Sequence, residues 1–426
     1  MLGTLGKNKS SGASYGLDNA GNRTSKTDQQ AGVTSNYGYD AIYELTGVTQ
    51  GTTTTESYTY DPVGNRLSSL GVSPYNVNVS NELTSTPSTS YTYDNNGNML
   101  TSVTGSNTTT YAWDFENRLT NVTLPGSGGT VSFKYDPFGR RIEKTTSSAT
   151  SIYAYDWDNL IEETNSSGAA IARYAQTQNI DEPLAMLRSA ATSYYDADGL
   201  GSITSLSSSA GSLAQTYGYD SFGKQTSSSG SLTNPFQYTA RESDSETGLY
   251  YYRARYLDSS TGRFLSEDPV KFYAGVNFYT YALNSPTYWI DPSGFNVTVK
   301  LFPGNQAAGH IGLGVNTDDT VGFYPNHDTG ASPGHIQRDD PHTEGSPEGC
   351  IILITTPQQD QNIQDYINKR KANPGWWRPG RDCSNFVHDA LGAGGIKVGD
   401  STFPRNVFNN LKNLPHTSCY NVTPIL

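Results

Sequence analysis

Residues 60–69 read YDPVGNRLSS, and close variants return as YDNNGNMLTS at 93–102, WDFENRLTNV at 113–122 and YDPFGRRIEK at 135–144. Each copy has an aromatic residue, an aspartate, a short stretch rich in Pro, Gly or Asn, and a second run of strand-forming residues. Asp-Pro-x-Gly and Asn-Gly supply the backbone conformations of tight turns. The pattern therefore predicts a β-hairpin at every copy.

The aspartate motif repeats through the first half of the chain. It occurs at 17–18, 39–40, 60–61, 93–94, 113–114, 135–136, 155–156 and 219–220, and most spacings are 20 to 22 residues. A fixed period of this size indicates repeated hairpins, each of which must stack on its neighbours to bury a face. We predict a mainly β repeat scaffold over residues 1–235.

Composition and charge agree with such a scaffold. Only 34% of the 426 residues are hydrophobic, whereas 30 are tyrosine and 43 are glycine. Tyrosine suits pleated strands, and glycine suits the turns between them. The formal charge of −12 indicates that no nucleic acid is a partner, because binding to phosphates requires a basic stripe.

The repeats resemble the YD repeats of Rhs proteins, teneurins and insecticidal Tc toxins over roughly residues 15–225. The resemblance implies a spiral of β-hairpins that forms part of a hollow shell around enclosed polypeptide. The shells of these families contain more repeats than this chain does, so we expect a longer Rhs shell or the secretion machinery as a partner. An alternative is a cell-surface adhesin that binds carbohydrate through its tyrosines and has no enzymatic activity.

Residues 236–294 form a second segment, which includes FQYTARESDSETGLYYYRARYLD at 236–258. The segment resembles the Rhs-associated core, in which two Asp-Pro motifs carry out self-cleavage. That resemblance assigns the paired carboxylates to Asp268 and Asp291 and places the cut at Phe295. This sequence departs from the family at Lys271, where glycine is expected, and at 257–259, where Tyr-Asp-Pro is common. Alternatively, both Asp-Pro pairs serve only as turns.

The composition of the chain changes near Gly294. All three cysteines and all six histidines lie beyond residue 300, whereas all three methionines lie before residue 187. We therefore predict a separate domain over residues 295–426. Its odd number of cysteines excludes a disulfide framework and leaves at least one free thiol.

Periodicity in this domain predicts an α+β fold. Strands are expected at 296–302, 310–315, 320–325 and 350–355, and helices at 357–371 and 383–391. A hairpin turn at 316–319 would place His310 opposite Pro325. Residues 376–377, a Trp pair, either line a cleft or cap the core.

Cys383 is the candidate nucleophile, because a helix N-terminus favours thiolate over thiol. His310, at the head of a strand, is the candidate base, and Asn326 or His327 would orient its ring. The order of these elements resembles circularly permuted papain-like families, which include relatives of lecithin retinol acyltransferase and NlpC-type hydrolases. An alternative is a metal site formed by His327, His335, His342 and Cys350, but their spacing matches no standard zinc motif, so no metal or cofactor is expected.

These features together predict a polymorphic toxin. The C-terminal domain would be a cysteine hydrolase or acyltransferase that attacks peptidoglycan, protein or lipid in a target cell, and an immunity protein would be its partner. The start of the chain, MLGTLGKNKSSG, lacks the apolar core of a signal peptide. We therefore expect a secreted or cell-surface protein that is delivered by another route.

Overall fold

A computed structural model describes residues 12–291 except 20, 30, 157, 178–179 and 270–276. Beyond residue 296 it describes 297–302, 310–315, 321–325, 332–338, 349–353, 357–372, 376–377, 382–398, 404–411 and 416–418. The chain forms two compact units, of which the first contains residues 1–267 and 279–292 and the second contains 268–278 and 293–426. The predicted boundary at Gly294 lies outside the described residues.

The first unit begins with two antiparallel sheets whose strands pair in chain order. The six-stranded sheet contains β1 (Ala13–Leu17), β2 (Arg23–Asp28), β3 (Val33–Tyr39), β4 (Leu45–Gln50), β5 (Thr53–Tyr60) and β6 (Arg66–Ser69). The sixteen-stranded sheet contains β7 (Asn76–Val77), β8 (Leu83–Ser85), β9 (Thr89–Tyr93), β10 (Met99–Thr104), β11 (Asn107–Trp113), β12 (Leu119–Thr123), β13 (Thr130–Tyr135), β14 (Arg141–Thr145), β15 (Thr150–Asp156), β16 (Asn159–Asn165), β17 (Ala170–Gln176), β18 (Pro183–Arg188), β19 (Ala191–Ala197), β20 (Ile203–Ser208), β21 (Leu213–Tyr219) and β22 (Gln225–Gly230). The predicted mainly β repeat scaffold is confirmed.

The repeated aspartate builds the turn of each hairpin. At the β5–β6 turn, Oδ1 of Asp61 accepts hydrogen bonds from the backbone N–H groups of Val63 (3.0 Å) and Asn65 (2.8 Å). Gly64 lies between them with φ of 79°, a conformation that a residue with a Cβ adopts only with strain. The same carboxylate-to-backbone pattern recurs at Asp94, Asp136 and Asp220.

The repeated aromatic residue ties each hairpin to the preceding one. The Tyr135 hydroxyl donates to the Leu119 carbonyl (2.6 Å), and the Tyr219 hydroxyl donates to the Ile203 carbonyl (2.9 Å). At the tryptophan copy, Nε1 of Trp113 donates to the Met99 carbonyl (2.8 Å). Each aromatic side chain therefore satisfies a carbonyl at the start of a strand one repeat earlier.

Residues 236–267 and 279–291 pack on the edge where these turns lie. They include β23 (Glu242–Asp244), β24 (Leu249–Tyr252), β25 (Arg255–Asp258) and β26 (Arg263–Phe264), which form a buried four-stranded sheet. Three tyrosine hydroxyls of this segment donate hydrogen bonds to glycine carbonyls in the repeat turns. The pairs are Tyr250 with Gly223 (3.0 Å), Tyr251 with Gly139 (3.2 Å) and Tyr279 with Gly97 (2.9 Å). This segment therefore caps acceptors that the turns leave unused.

The second unit is an α+β structure. Its seven-stranded antiparallel sheet contains β27 (Val297–Phe302), β28 (His310–Val315), β29 (Val321–Pro325), β30 (Ser332–Arg338), β31 (Gly349–Leu353), β32 (Trp376–Trp377) and β33 (His416–Ser418), in the order β32-β30-β29-β28-β27-β31-β33. The helices are α1 (Pro357–Ala372), α2 (Asp382–Ala393) and α3 (Pro404–Leu411). Their apolar faces share one core, which contains Leu313, Ile363, Ile367, Phe386, Val387, Leu391 and Phe408.

All four predicted strands and both predicted helices of this unit are confirmed to within two residues at most ends. His335 lies within β30 and His416 begins β33, two strands that the sequence analysis did not predict. β30 forms a hairpin with the preceding strand β29, whereas β33 pairs with β31, which is distant in sequence. Among the described helices, none has the length and apolar character required to cross a bilayer.

Candidate functional site

The helix that carries Cys383 and the strand that carries His310 pack against each other. α2 begins at Asp382, so Cys383 lies in its first turn, and His310 is the first residue of β28, where it pairs with Phe302. Leu313 of β28 joins Phe386 and Val387 of α2 in the buried core. The backbone thus brings the two candidate elements together, as a nucleophile and its base require.

The residues around this pair are described only in part. The side chains of His310 and Cys383 lie outside the described part of the structure, as do Asn326 and His327 entirely. Their catalytic roles therefore stay predictions.

The predicted register beside His310 is wrong by one residue. A turn at 316–319 would place Leu313 opposite residue 322, but Leu313 pairs with Val321. Continuing this register places Tyr324, and not Pro325, opposite His310. The shift matters because a one-residue slip moves side chains to the other face of a sheet.

Ser384 is a feature that the sequence analysis missed. Its side chain is 0% exposed, and its Oγ atom has no hydrogen-bond partner among the described residues. An unpaired buried hydroxyl destabilises a fold. The Cys-Ser pair at a helix start was visible in the sequence, but burial of the serine depends on how α2 packs.

The residues of the alternative metal site are described only in part. His335 lies in β30 opposite Tyr324, while His327 and His342 lie outside the described residues. Among the residues that are described, no group of three or more His, Cys, Asp or Glu side chains could hold a metal ion. The Trp pair forms an edge strand, in which Trp376 pairs with Pro333.

The two self-cleavage aspartates occupy different environments. Asp291 belongs to the first unit, where its Oδ2 atom accepts a hydrogen bond from Nη2 of Arg255 (2.8 Å), whose guanidinium lies 3.7 Å from the ring centroid of Phe264. Asp268 belongs to the second unit, is 2% exposed, and donates its backbone N–H to the Phe278 carbonyl (2.9 Å). The cut site at Phe295 lies outside the described residues, so self-cleavage stays a prediction.

Residues 257–259, which lack the expected Tyr-Asp-Pro sequence, still lead into a turn. Asp258 accepts from the Ser260 N–H at Oδ1 (2.9 Å) and from the Thr261 hydroxyl at Oδ2 (3.0 Å), and the Gly262 N–H donates to its carbonyl (2.8 Å). Asp258 therefore organises a turn much as the repeat aspartates do.

A buried ion cluster fastens β23 to the repeat strand β14. Arg141 is 1% exposed and donates to Asp244 (2.5 Å) and Glu242 (2.8 Å), while Nζ of Lys144 lies 3.1 Å from Asp244. Burial alone would lower the pKa of Arg141, but the charge of Asp244 and the other anionic neighbours raise it well above its usual value. The pKa of Asp244 is correspondingly lowered, because Arg141 and Lys144 outweigh burial. The cluster thus stays charged and holds the two segments together.

Comparison with known proteins identifies relatives of the repeat region. The family profile described as Teneurin YD-shell matches residues 20–287. Double-stranded DNA deaminase toxin A of Burkholderia cenocepacia (strain H111) is 28% identical over 149 residues, which cover 34% of this chain and 10% of that protein.

Two solved structures are similar over 66% of the chain. One is TcdB2-TccC3 without its hypervariable C-terminal region, with 18% identity and a TM-score of 0.42. The other is a Photorhabdus luminescens Tc holotoxin pore, with 17% identity and a TM-score of 0.42. The matched region spans a tenth of the curated relative and 18% of each of these solved chains.

The expectation that no nucleic acid is a partner is wrong, because the curated relative is a double-stranded DNA deaminase toxin. The argument from charge fails for a physical reason. A formal charge of −12 is a sum over the whole chain, and it does not describe the field at one surface. The last turn of α1, for example, carries Lys369, Arg370 and Lys371.

Proposed function

This chain belongs to the teneurin YD-shell family, and we propose on that basis that its repeat scaffold carries a toxin domain at residues 295–426. The proposal is supported by the change in composition near Gly294 and by the separate α+β core of the second unit. The scaffold itself would not act on substrate, because residues 1–294 contain no cysteine or histidine. Delivery to a target cell and an immunity protein as partner belong to this proposal.

The toxin domain would act as a cysteine hydrolase or acyltransferase of the papain-like type. The observation that supports this most is the packing of α2, with Cys383 in its first turn, against β28, which begins at His310. His310 would take the thiol proton, and the thiolate would attack the carbonyl carbon of an amide or ester. The protonated imidazole would then protonate the leaving group, and water or an acceptor would release the acyl group from Cys383.

Nucleobase deamination is the second candidate, and the curated relative favours it. Zinc deaminases use an H-x-E segment together with a P-C-x-x-C segment. Residues 342–344 read HTE, but the three cysteines at 350, 383 and 419 are too far apart to form the second segment. The residues present therefore do not fit a deaminase zinc site, and we derive no step through one.

Expression of the full chain in a susceptible bacterium, in the cytoplasm or directed to the periplasm, tests both candidates. Cys383→Ala should abolish toxicity, and the matched Cys350→Ala control should remain toxic. A thiol-reactive probe should label Cys383 first, with a pH midpoint below that of a free cysteine. Full toxicity of Cys383→Ala would exclude the hydrolase, and an accumulation of base changes in host DNA would point to the deaminase.

Self-cleavage would release the toxin domain from the scaffold. We assign the two carboxylates to Asp268 and Asp291 and the cut to the bond between Phe295 and Asn296. In this proposal one carboxyl group holds a proton and acts as the acid, while the other is ionised and acts as the base. The buried setting of Asp268 supports its part in this pair.

A further inference from the structure

The six-stranded sheet meets the last repeats of the sixteen-stranded sheet without strand pairing. Side chains make the junction, which we call the seam and define by β2, β5, β6 and the turns that follow β19 and β21. Nζ of Lys26 lies 2.7 Å from Asp198, and Nη2 of Arg23 donates to the Gly199 carbonyl (2.8 Å). The polar contacts of the seam are few, and a buried apolar cluster that includes Leu45, Tyr58 and Phe222 also joins its two sides.

Glu56 makes the contact at the β21–β22 turn. Both of its carboxylate oxygens lie 3.1 Å from the backbone nitrogen of Ser221, which donates to them, and the Tyr58 hydroxyl donates to Oε2 (2.8 Å). Ser221 directly follows Asp220, whose carboxylate accepts from the Phe222 and Lys224 N–H groups. Two carboxylates thus face each other across the seam.

A single buried guanidinium lies beside this pair. Arg66 is 4% exposed and lies between two rings, 4.5 Å from the centroid of Tyr58 and 4.1 Å from that of Phe222. Its Nε and Nη2 atoms have no hydrogen-bond partner among the described residues. One cation against two carboxylates leaves an excess negative charge unless one carboxyl group is protonated.

A cavity of about 310 Å³ borders the pair, and both Glu56 and Asp220 line it. A space of this volume could hold water, which would give protons a path to the two carboxyl groups. We propose that the seam is a proton-controlled latch, which is closed while Glu56 or Asp220 carries a proton beside Arg66 and loosens when both are ionised.

Tyrosines and several charged side chains also face the pair. Tyrosines approach it from β3, β5, β21, β24 and the segment after β22, and they are Tyr37, Tyr58, Tyr219, Tyr250 and Tyr238. Burial raises the pKa of each above its ordinary value, so all stay neutral. Lys26 and Asp198 form an ion pair, Arg23 donates to a carbonyl, Asp28 lines the cavity, and the backbone N–H of Lys224 donates to Asp220.

The sign of the effect follows from the two carboxyl groups. Burial, followed by the charge of Glu56, raises the pKa of Asp220 to about 7, and burial raises the pKa of Glu56 as well. An acid whose pKa is raised in the closed state stabilises that state most in acid, and this advantage is lost as pH rises toward 7. If opening returns Asp220 to an ordinary pKa of about 4, the opening equilibrium rises roughly thirtyfold between pH 5.5 and 8.

Asp114 is the matched control for Asp220. Its carboxylate accepts the same two backbone hydrogen bonds within its turn, but a paired arginine and not a second carboxylate lies beside it. Its Oδ2 atom pairs with Nε of Arg118 (2.8 Å), and the hydrogen bonds from Arg118 outweigh burial and lower the pKa of this carboxyl group. Asp114→Asn should therefore leave the pH response of the seam unchanged.

Hydrogen exchange of the full chain at pH 5.5 and 8, corrected for intrinsic exchange, tests the latch. Peptides covering 53–60 and 215–224 should open about thirtyfold more at pH 8 in the wild type, whereas a peptide covering 107–123 should not. Glu56→Gln and Asp220→Asn keep their oxygen acceptors. Asp220→Asn should reduce the response to less than about fivefold, and Glu56→Gln should reduce it by a smaller factor, because burial of Asp220 remains. A wild-type seam without pH response, or either variant with the full wild-type response, would overturn the proposal.

Discussion

Replacing Arg141 by methionine should destabilise the first unit far more than the same change at its neighbour, Arg140. Arg141 is 1% exposed and bridges two buried carboxylates, Asp244 at 2.5 Å and Glu242 at 2.8 Å. Methionine fills similar space but leaves both acids without this partner. Removing one side of a buried ion pair costs about 3–5 kcal/mol, mostly as the penalty of an uncompensated buried charge.

From the structure, we expect the loss in the free energy of unfolding to lie at the lower end of that range. Nζ of Lys144 lies 3.1 Å from Asp244 and remains as a partner, so Glu242 carries most of the penalty. A loss of about 3 kcal/mol corresponds to a fall of roughly 6–12 °C in Tm for a unit of this size.

Differential scanning calorimetry of the full chain would measure this change. Arg140→Met is the control, since the Arg140 side chain is 30% exposed and its ion pair with Asp136 (2.7 Å) should contribute under about 1 kcal/mol. A variant that combines Arg141→Met with Glu242→Gln and Asp244→Asn should recover part of the loss. Equal Tm values for Arg140→Met and Arg141→Met would refute the assignment of Arg141 as a buried fastener.

Three further predictions concern a glycine of a repeat turn, the hydrogen bond between successive repeats, and self-cleavage before residue 296. Gly97→Ala should lower the free energy of unfolding, measured with a chemical denaturant, by well over about 1 kcal/mol, because φ is 78° and the new Cβ would lie 2.6 Å from side-chain atoms of Glu267 and Tyr279. Gly105→Ala should cost about 1 kcal/mol, because φ is 60° but the space around the new Cβ is open. Tyr219→Phe should cost about 1 kcal/mol by removing the hydrogen bond to the Ile203 carbonyl, and an unchanged unfolding curve would contradict this role. Asp291→Asn should abolish self-cleavage in intact-mass analysis, and a cut variant or an uncut, folded wild type would sink that proposal.

The scaffold was largely predictable because its determinants are local. The aspartate and the glycine or asparagine of each quoted copy form their turn within five residues, as Asp61 and Gly64 show, so the period of the motif is also the period of the hairpins. The start of α2 was predictable for the same reason, since capping depends on adjacent residues. Four strands of the second unit could be read from apolar runs, but β30 could not, because its sequence is polar, although it forms a hairpin with the preceding strand β29.

The register beside His310 shows the limit of local reasoning. The position of the turn at 316–319 was inferred from turn-forming residues, and a shift of one residue places Tyr324 in the position assigned to Pro325. Turn propensity distinguishes loops of adjacent lengths only weakly, whereas packing of the strand faces distinguishes them strongly.

The sequence by itself determined the hairpin repeat, the family resemblance, the composition change near Gly294 and the candidate pair Cys383 and His310. Only the tertiary structure decided which polar groups are buried together. Arg141 meets Asp244 across 103 residues, and Glu56 meets Ser221 across 165. Such contacts produce no repeating pattern in the sequence, because each forms only once. Their desolvation penalty and their stabilising energy arise only after the surrounding strands have excluded water.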